Sequence, residues 1–398
     1  MPINTIKQFY ELMFQTRDVR RKIINEYLNN LEPKLEDIEK LKKAFRSLQD
    51  IPRENSKFVL KHQQDKKIYV NPDYEIEELK KDIKYLTSSG KHFLNYLKDL
   101  HENFRNNVTQ GMDFLGNIEF ENFISDRDGT VNNYCGRYNS SIQSVYNAIF
   151  LINFIGKVER GIILTSAPLS DTGFLDVNII PTGFYVFAGS KGREFIWNNK
   201  RYELDIDPAS QKKLNQLNDE LKKLLDKNEY EIFSLIGSAL QFKFGQTTIA
   251  RQDIYNSIPQ EKSKKFMVDV IDIVRKIDPD KEYFAIVDTK KDIEIVLKNQ
   301  NNTAQKNDFD KDDGIKFITD ELSIDLRKGN NLICGDTESD LAILDYAMSK
   351  TKNNYTIFVT KDSILKQKVK NLCSNALFVD SPDELITILY KYSVERTL

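Results

Sequence analysis

Gly161-Ile162-Ile163-Leu164-Thr165-Ser166 is an apolar run with no alternation, closed by two hydroxyl residues. A strand of this kind buries both faces, the condition of a strand inside a parallel sheet covered by helices on either side. A comparable strand, Phe120 to Ser125, precedes it. Between them lies a segment with helical spacing (Ile142, Val145, Ile149, Ile152) that ends near Gly156. Strand, helix, strand in this order is a parallel crossover unit. The texture returns late in the chain at Asn331 to Cys334, Tyr355 to Val359 and Ala376 to Val379, each followed by a helix. The last helix starts after Ser381-Pro382-Asp383, with Ser381 suited to the N-cap and Pro382 to the first turn. An α/β fold is expected, with ligands at the carboxyl ends of its strands.

What stands at those ends is polar and acidic. Asp126-Arg127-Asp128-Gly129-Thr130 follows the Phe120–Ser125 strand directly. Neighbours at i and i+2 of a strand point the same way, so Asp126 and Asp128 face one site and Arg127 is expected on the opposite side, outside it. Gly129 permits a sharp turn. A second group, Gly335-Asp336-Thr337-Glu338-Ser339-Asp340, closes the Asn331–Cys334 strand and opens a helix. Three carboxylates with a backbone carbonyl and waters form a hard-oxygen site that suits Mg²⁺. Two carboxylates one residue apart are too close to flank a sugar ring as a glycosidase pair.

Histidine usage narrows the chemistry. His62, His92 and His101 all precede Asp126, and no other histidine follows. A site beside Asp126 is therefore expected to run on carboxylates, a metal, lysine and hydroxyls rather than on imidazole. Net charge is −2 with 30% charged residues of both signs intermixed, which argues against a nucleic-acid surface. No apolar run reaches the length of a membrane span, and Met1-Pro2-Ile3-Asn4 begins no signal peptide. Cys135, Cys334 and Cys373 are odd in number and widely spaced, as expected of reduced thiols in a cytoplasmic protein.

Residues 1 to 110 read as an N-terminal helical domain. Val19, Ile23, Ile24, Tyr27, Leu28 form one helical stripe; Leu35, Ile38, Leu41, Phe45, Leu48 a second; Ile76, Leu79, Ile83, Leu86 a third; and Phe93, Leu94, Leu97, Leu100, Phe104 a fourth. A bundle packed on the main body is one reading, and an arm for a protein partner or self-association the other. Residues 57 to 71 read as an irregular connection. The polar stretch 105 to 117, with two glycines, reads as a boundary. From about 188 to 305 strands and charged helices alternate, with Asn198-Asn199 as a hairpin turn and a strand at Ile232 to Leu235. This reads as an α+β unit inserted into the sheet domain, whose two parts are 116–187 and 306–398.

Four motifs in order, DxDGT after an apolar strand, a strand-terminal Thr/Ser, a lysine before a helix, and GDxxxD, resemble the haloacid dehalogenase superfamily of aspartate-nucleophile phosphohydrolases. The longer strings DRDGTVNNYCGRY, ILTSAPLSDTGFLD, FAGSKGREF and CGDTESDL are similar to nematode-type trehalose-6-phosphate phosphatases over about 116 to 398. That resemblance implies a haloacid-dehalogenase-like Rossmannoid core with an inserted cap. It implies a Mg²⁺-dependent phosphatase of trehalose biosynthesis that hydrolyses trehalose 6-phosphate through a phospho-aspartate. Another sugar phosphate, or a scaffold role through the helical domain, is the alternative.

The resemblance also implies roles. Asp126 would be the nucleophile, and Asp128 the acid and then the base. Mg²⁺ would be held by the Asp126 side chain, the Asp128 carbonyl and Asp336, with Asp340 supporting them. Thr165 would bond a phosphoryl oxygen and Lys311 neutralise its charge. Lys306 rivals Lys311, because the family lysine is often followed directly by glycine and here Asp312-Asp313-Gly314 intervenes. Many relatives outside the nematode type carry Gly-Arg after the strand-terminal threonine; here Ser166-Ala167-Pro168 stands there, which removes an arginine contact. Ser166 and the cap residues Lys191, Arg193, Glu194, Lys243, Arg251 and Glu294 are candidates to bind the sugar, each equally readable as a solvated charge.

Overall fold

The computed structural model describes residues 3–63, 66–253, 255–298 and 309–395. The chain opens with α1 (Ile6–Leu28) and α2 (Leu35–Gln49), then β1 (Arg53–Glu54), β2 (Lys57–Gln63) and β3 (Lys66–Val70), followed by α3 (Asp73–Thr87), α4 (Gly90–Leu100) and α5 (Phe104–Leu115). The apolar stripes form helices as expected, and their faces join the main core through Phe9, Ile24, Leu41, Leu79, Phe93 and Leu97. One expectation fails here. Residues 57–63 and 66–70 pair as antiparallel strands, not as an irregular connection. The stretch 105 to 117, read as a boundary, holds most of the helix α5, whose Gly111 lies against Ile388 where a later helix crosses it.

The catalytic-type core begins at β4 (Phe120–Asp126), α6 (Val145–Ile155), β5 (Arg160–Leu164), α7 (Phe174–Val177), β6 (Val186–Gly189), β7 (Glu194–Trp197) and β8 (Lys200–Glu203). The inserted unit follows: α8 (Pro208–Leu225), β9 (Leu240–Lys243), β10 (Gln246–Ala250), α9 (Gln260–Ile277), β11 (Phe284–Asp288) and β12 (Asp292–Leu297). The chain returns through α10 (Lys311–Glu321), β13 (Asn330–Gly335), α11 (Leu341–Lys350), β14 (Asn354–Val359), α12 (Ser363–Leu372), β15 (Ala376–Val379) and α13 (Pro382–Glu395).

Eight strands form one sheet in the order β15-β14-β13-β4-β5-β6-β7-β8, parallel from β15 to β6. Its residues alternate between two cores. Phe123, Leu332 and Ile357 face the side covered by α6 and α13. Ile124, Ile333 and Phe358 face the side holding Ile315, Ile318, Ile343 and Val369 of α10 to α12. Burial on both faces is what the unalternating apolar runs demanded.

The β7–β8 hairpin, placed with the inserted unit by the sequence reading, pairs with β6 and extends this sheet instead. Phe195 explains why, since it is fully buried and meets Phe317 of α10 edge-on at 5.4 Å. Its turn is as expected, with Asn198 and Asn199 both at positive φ. The inserted unit has its own antiparallel sheet, β11-β12-β10-β9. Ile232 to Leu235 is a 3₁₀ turn there (Glu231–Ser234), not a strand.

Buried charges join the N-terminal helices to the core. Asp82 of α3 accepts from Arg20 at 2.5 Å and from the Val145 amide of α6 at 2.6 Å. Lys81 bonds Glu78 at 2.8 Å and Asp383 of α13 at 3.0 Å, and Asp383 also takes the Tyr146 hydroxyl and His101 Nε2. Among the described residues no helix is long and apolar enough to cross a membrane.

Candidate active site

Three adjacent strands deliver the polar groups to one edge. β4 lies between β13 and β5, with Asp126 level with Leu164, so Asp126, Thr165 and Asp336 emerge side by side. This is the point where the chain's order across the sheet switches direction, the place where such sheets bind ligands.

Lys311 and three carboxylates occupy the centre. Lys311 Nζ donates to Asp126 Oδ1 and to Asp340 Oδ1, each at 2.6 Å, from the first residue of α10. Oxygens of Asp126, Asp336 and Asp340 all lie within 4.8 Å of one another. Thr130 Oγ1 donates to Asp336 Oδ1 at 3.1 Å and reaches Asp126 Oδ2 at 3.4 Å. Asp340 spends its second oxygen on the Asp336 and Thr337 amides at 3.0 and 2.9 Å, which shapes the turn after β13. Gly129, at φ 93°, leaves the space that Asp336 fills; a Cβ there would stand 2.2 Å from Asp336 Oδ2.

One ammonium cannot neutralise three acids. Burial, with Asp340 and Asp128 adding to it against Lys311, raises Asp126 to about 7. Burial and Asp126 raise Asp336 to about 8. Burial pulls Lys311 down, but Asp126 and Asp340 outweigh it and hold the lysine well above its ordinary value. The excess negative charge, presented by oxygen donors alone, fits a hard divalent cation such as Mg²⁺.

Asp128 is held apart from that group. Its Oδ2 accepts from Thr165 Oγ1 at 3.0 Å, and its Oδ1 from Ser141 Oγ at 3.3 Å and from Arg127. Arg127 therefore departs from the expectation that it lies outside the site. Alternation fixes where its Cβ points, but the long side chain turns back, fixed by the Ser141 carbonyl at 2.6 Å. Thr165 spends its proton on Asp128 and accepts from the Ala167 amide at 3.2 Å.

A cavity of about 250 Å³ opens over these groups, lined also by Ser166, Lys243, Tyr138 and Gln241. Lys243 reaches in from β9 of the inserted unit. Burial lowers it to about 8, with Glu294 and Asp292 opposing and Lys191 and Arg193 adding to the fall. The other cap candidates do not line this cavity. Lys191 pairs with Asp310 at 3.6 Å. The Arg193 guanidinium lies 4.5 Å from the Phe309 ring centre. Glu194 takes Ser190 Oγ, the Leu169 amide and Arg201 within its own corner of the sheet. Arg251 meets Asp288 at 3.1 Å and does not line the cavity. Glu294 of β12 stands opposite Thr248 of β10 and acts on Lys243 through its charge. Lys306 lies outside the described residues. Sequence reasoning passed over Tyr138 and Gln241. Tyr138 had a signal, since its YCGRY string follows DxDGT closely; Gln241 had none.

The family model for the C-terminal part of trehalose-6-phosphate phosphatase matches residues 123–385, and that for its N-terminal helical bundle domain matches 5–113. The chain belongs to the trehalose-6-phosphate phosphatase family. Within reach of this family it is 31% identical over 411 residues to an alpha,alpha-trehalose-phosphate synthase [UDP-forming] 2 of Aphelenchoides avenae, covering 96% of this chain and 31% of that protein. The chain thus spans about a third of the length of such synthase relatives. A trehalose-phosphatase of Brugia malayi is 28% identical over 425 residues, covering 96% of this chain and 84% of that one. The solved C-terminal domain of a trehalose-6-phosphate phosphatase of C. albicans overlaps loosely, at 13% identity and a TM-score of 0.47, over 72% of this chain and 97% of that one.

Proposed function

We propose that this chain is a phosphomonoester hydrolase that releases phosphate from trehalose 6-phosphate through a phospho-aspartate on Asp126. The observation that carries the reading is the meeting of Asp126, Lys311 and Asp336 at one sheet edge, beside a separately held Asp128, in a chain of this family.

In the first step the Asp126 carboxylate attacks phosphorus in line, the bond from phosphorus to the sugar oxygen breaks, and Asp128 passes its proton to that oxygen. In the second, Asp128 takes a proton from water, which attacks the phospho-aspartate, breaks the acyl–phosphate bond and restores Asp126. The Thr165 bond and the Arg127–Ser141 brace keep Asp128 from joining the Asp126 group, which separates attack from proton transfer. Lys311 neutralises the phosphoryl oxygens as charge moves across them. Asp126, Asp336 and the Asp128 carbonyl would hold Mg²⁺, with Asp340 steadying Asp336; when bound, the ion offsets the repulsion between nucleophile and phosphate. Lys243 and Ser166 line the same cavity and would meet the sugar. The three free cysteines accord with a cytoplasmic setting.

The test is phosphate release across a panel of sugar phosphates with Mg²⁺ present. Selective turnover of trehalose 6-phosphate is expected. Equal rates on every member would remove the substrate assignment, and no release from any would remove the activity.

A further inference from the structure

Arg137 is 6% exposed, and among the described residues it forms no direct ion pair; the buried Glu75 acts on it through its charge alone. Its guanidinium bonds three segments remote in sequence. Nη1 donates to the Tyr10 hydroxyl of α1 at 3.2 Å and to the Leu235 carbonyl of the inserted unit at 3.1 Å, and Nη2 to the Tyr69 carbonyl of β3 at 3.2 Å. A planar fork with fixed donors suits this three-way task, and a lysine does not.

Its neighbours on both sides belong to the active-site wall. Tyr134, Cys135, Gly136 and Tyr138 line the cavity over Asp126, while the Arg137 side chain points the other way, into a larger cavity of about 550 Å³ walled by α3, the 133–137 loop and Gly237 and Asp253 of the inserted unit. The N-terminal unit grips the same loop at further points. Tyr74 Oη accepts from Asn132 at 3.1 Å and donates to the Ile142 carbonyl at 3.0 Å, and Asn133 donates to Glu78 at 3.0 Å. A second tie to the inserted unit lies beside it, with Lys57 Nζ 4.7 Å from the Tyr255 ring centre.

We propose that Arg137 is a positioning residue that clasps the inserted unit to the N-terminal helical unit, so that the N-terminal unit sets how the cap sits over the catalytic cavity. The inference deepens the phosphatase reading and rests on it for its kinetic consequence. It gives the helical unit a part in the reaction without a direct contact to substrate. The inserted unit's contributions to the cavity, Ser238, Gln241 and Lys243, sit on the segment that begins near Leu235, so a loosened clasp moves a cavity wall.

The test uses full-length Arg137→Lys and Arg137→Met with Mg²⁺, and Tyr10→Phe as a variant that removes a single bond and spares the fold. Two esters are compared: trehalose 6-phosphate, and p-nitrophenyl phosphate, which offers the cap no disaccharide. Misplacement of a positioning wall predicts a loss in kcat/KM on the order of 100-fold for the disaccharide ester, a value near wild type for the aryl ester, and a smaller loss of the same kind in Tyr10→Phe. Amide hydrogen exchange of Phe233, Leu235 and Ala239, each bonded within the 230–239 turn, is expected to quicken in both Arg137 variants. Equal losses on the two esters, or unchanged exchange in that turn, overturn the clasp. If wild-type protein releases phosphate from neither ester the phosphatase reading falls, and the exchange measurement alone then decides whether Arg137 holds the cap.

Discussion

Binding of Mg²⁺ to the Asp126–Asp336–Asp340 group is predicted to expel protons, and to be strongly pH-dependent for that reason. In the metal-free site Asp126 is raised to about 7 and Asp336 to about 8, so at pH 6 both are mostly protonated. A cation binds the ionised carboxylates, and each proton it displaces changes apparent affinity by about tenfold per pH unit below the group's pKa. With one to two protons displaced, affinity should rise by about tenfold to a hundredfold from pH 6 to 7 and level off above about pH 9. Stability of the metal-free fold runs the opposite way with pH. Both folded pKa values exceed the unfolded one, so this contribution is complete below about pH 4 and is lost as pH rises through 7 to 8, at up to about 1.4 kcal/mol per unit for each group. The cation should therefore stabilise the protein more at pH 8 than at pH 6. Titration calorimetry in two buffers of different ionisation enthalpy counts the protons directly. Mg²⁺ binding at pH 6 with no proton release, or with affinity flat from pH 6 to 8, would refute the electrostatic account of the cluster.

Asp126→Asn is expected to abolish phosphate release with an unchanged circular-dichroism spectrum; a variant that still turns over removes the nucleophile assignment. Gly314→Ala would put a Cβ 2.0 Å from the Lys191 carbonyl and push α10, with Lys311, off Asp126; a loss on the order of 100-fold in kcat/KM is expected, and normal kinetics would show that α10 has slack. Burial pushes Asp383 up, yet Lys81 and His101 hold it well below the usual carboxylate range, so its contribution is present above about pH 4 and fades in strong acid. Asp383→Asn should cost about 3–5 kcal/mol in urea unfolding at pH 7, and a cost near zero would show that the buried cluster does not bind α3 to α13. Chelation with EDTA should silence turnover and Mg²⁺ restore it; unaffected turnover excludes the metal role.

The strand ends were legible because two-sided burial leaves unbroken apolar runs, and because the groups that follow them are close in sequence. That brought Asp126, Asp128, Thr165 and Asp336 to one edge on paper, and placed Lys311 ahead of a helix. The β2–β3 hairpin was not legible, since Lys57, Lys61, Lys66 and Lys67 dilute the alternation that marks a half-buried strand. α5 is not legible because a polar stretch with two glycines reads as a boundary, whereas Gly111 serves a close helix crossing. The Glu194–Glu203 hairpin went to the wrong sheet because alternation says that a strand has an apolar face, not which neighbour covers it. Arg127, Ser141 and Arg137 act through the tips of long or distant side chains, and no spacing rule reaches that far.

The Lys191–Gly192 turn and Gly314 touch backbone to backbone, and Lys191 N is bonded to the Thr165 carbonyl at 2.9 Å. The outgoing turn and the returning helix therefore form a weld at the root of everything inserted between them. Loop closure at a fixed root costs only the logarithm of what it encloses. Such a weld makes the segment beyond β8 exchangeable: a longer, shorter or unrelated cap can be grafted there while Lys311 keeps its place. Selectivity for the leaving group and the power to cleave it can then diverge independently within one chain.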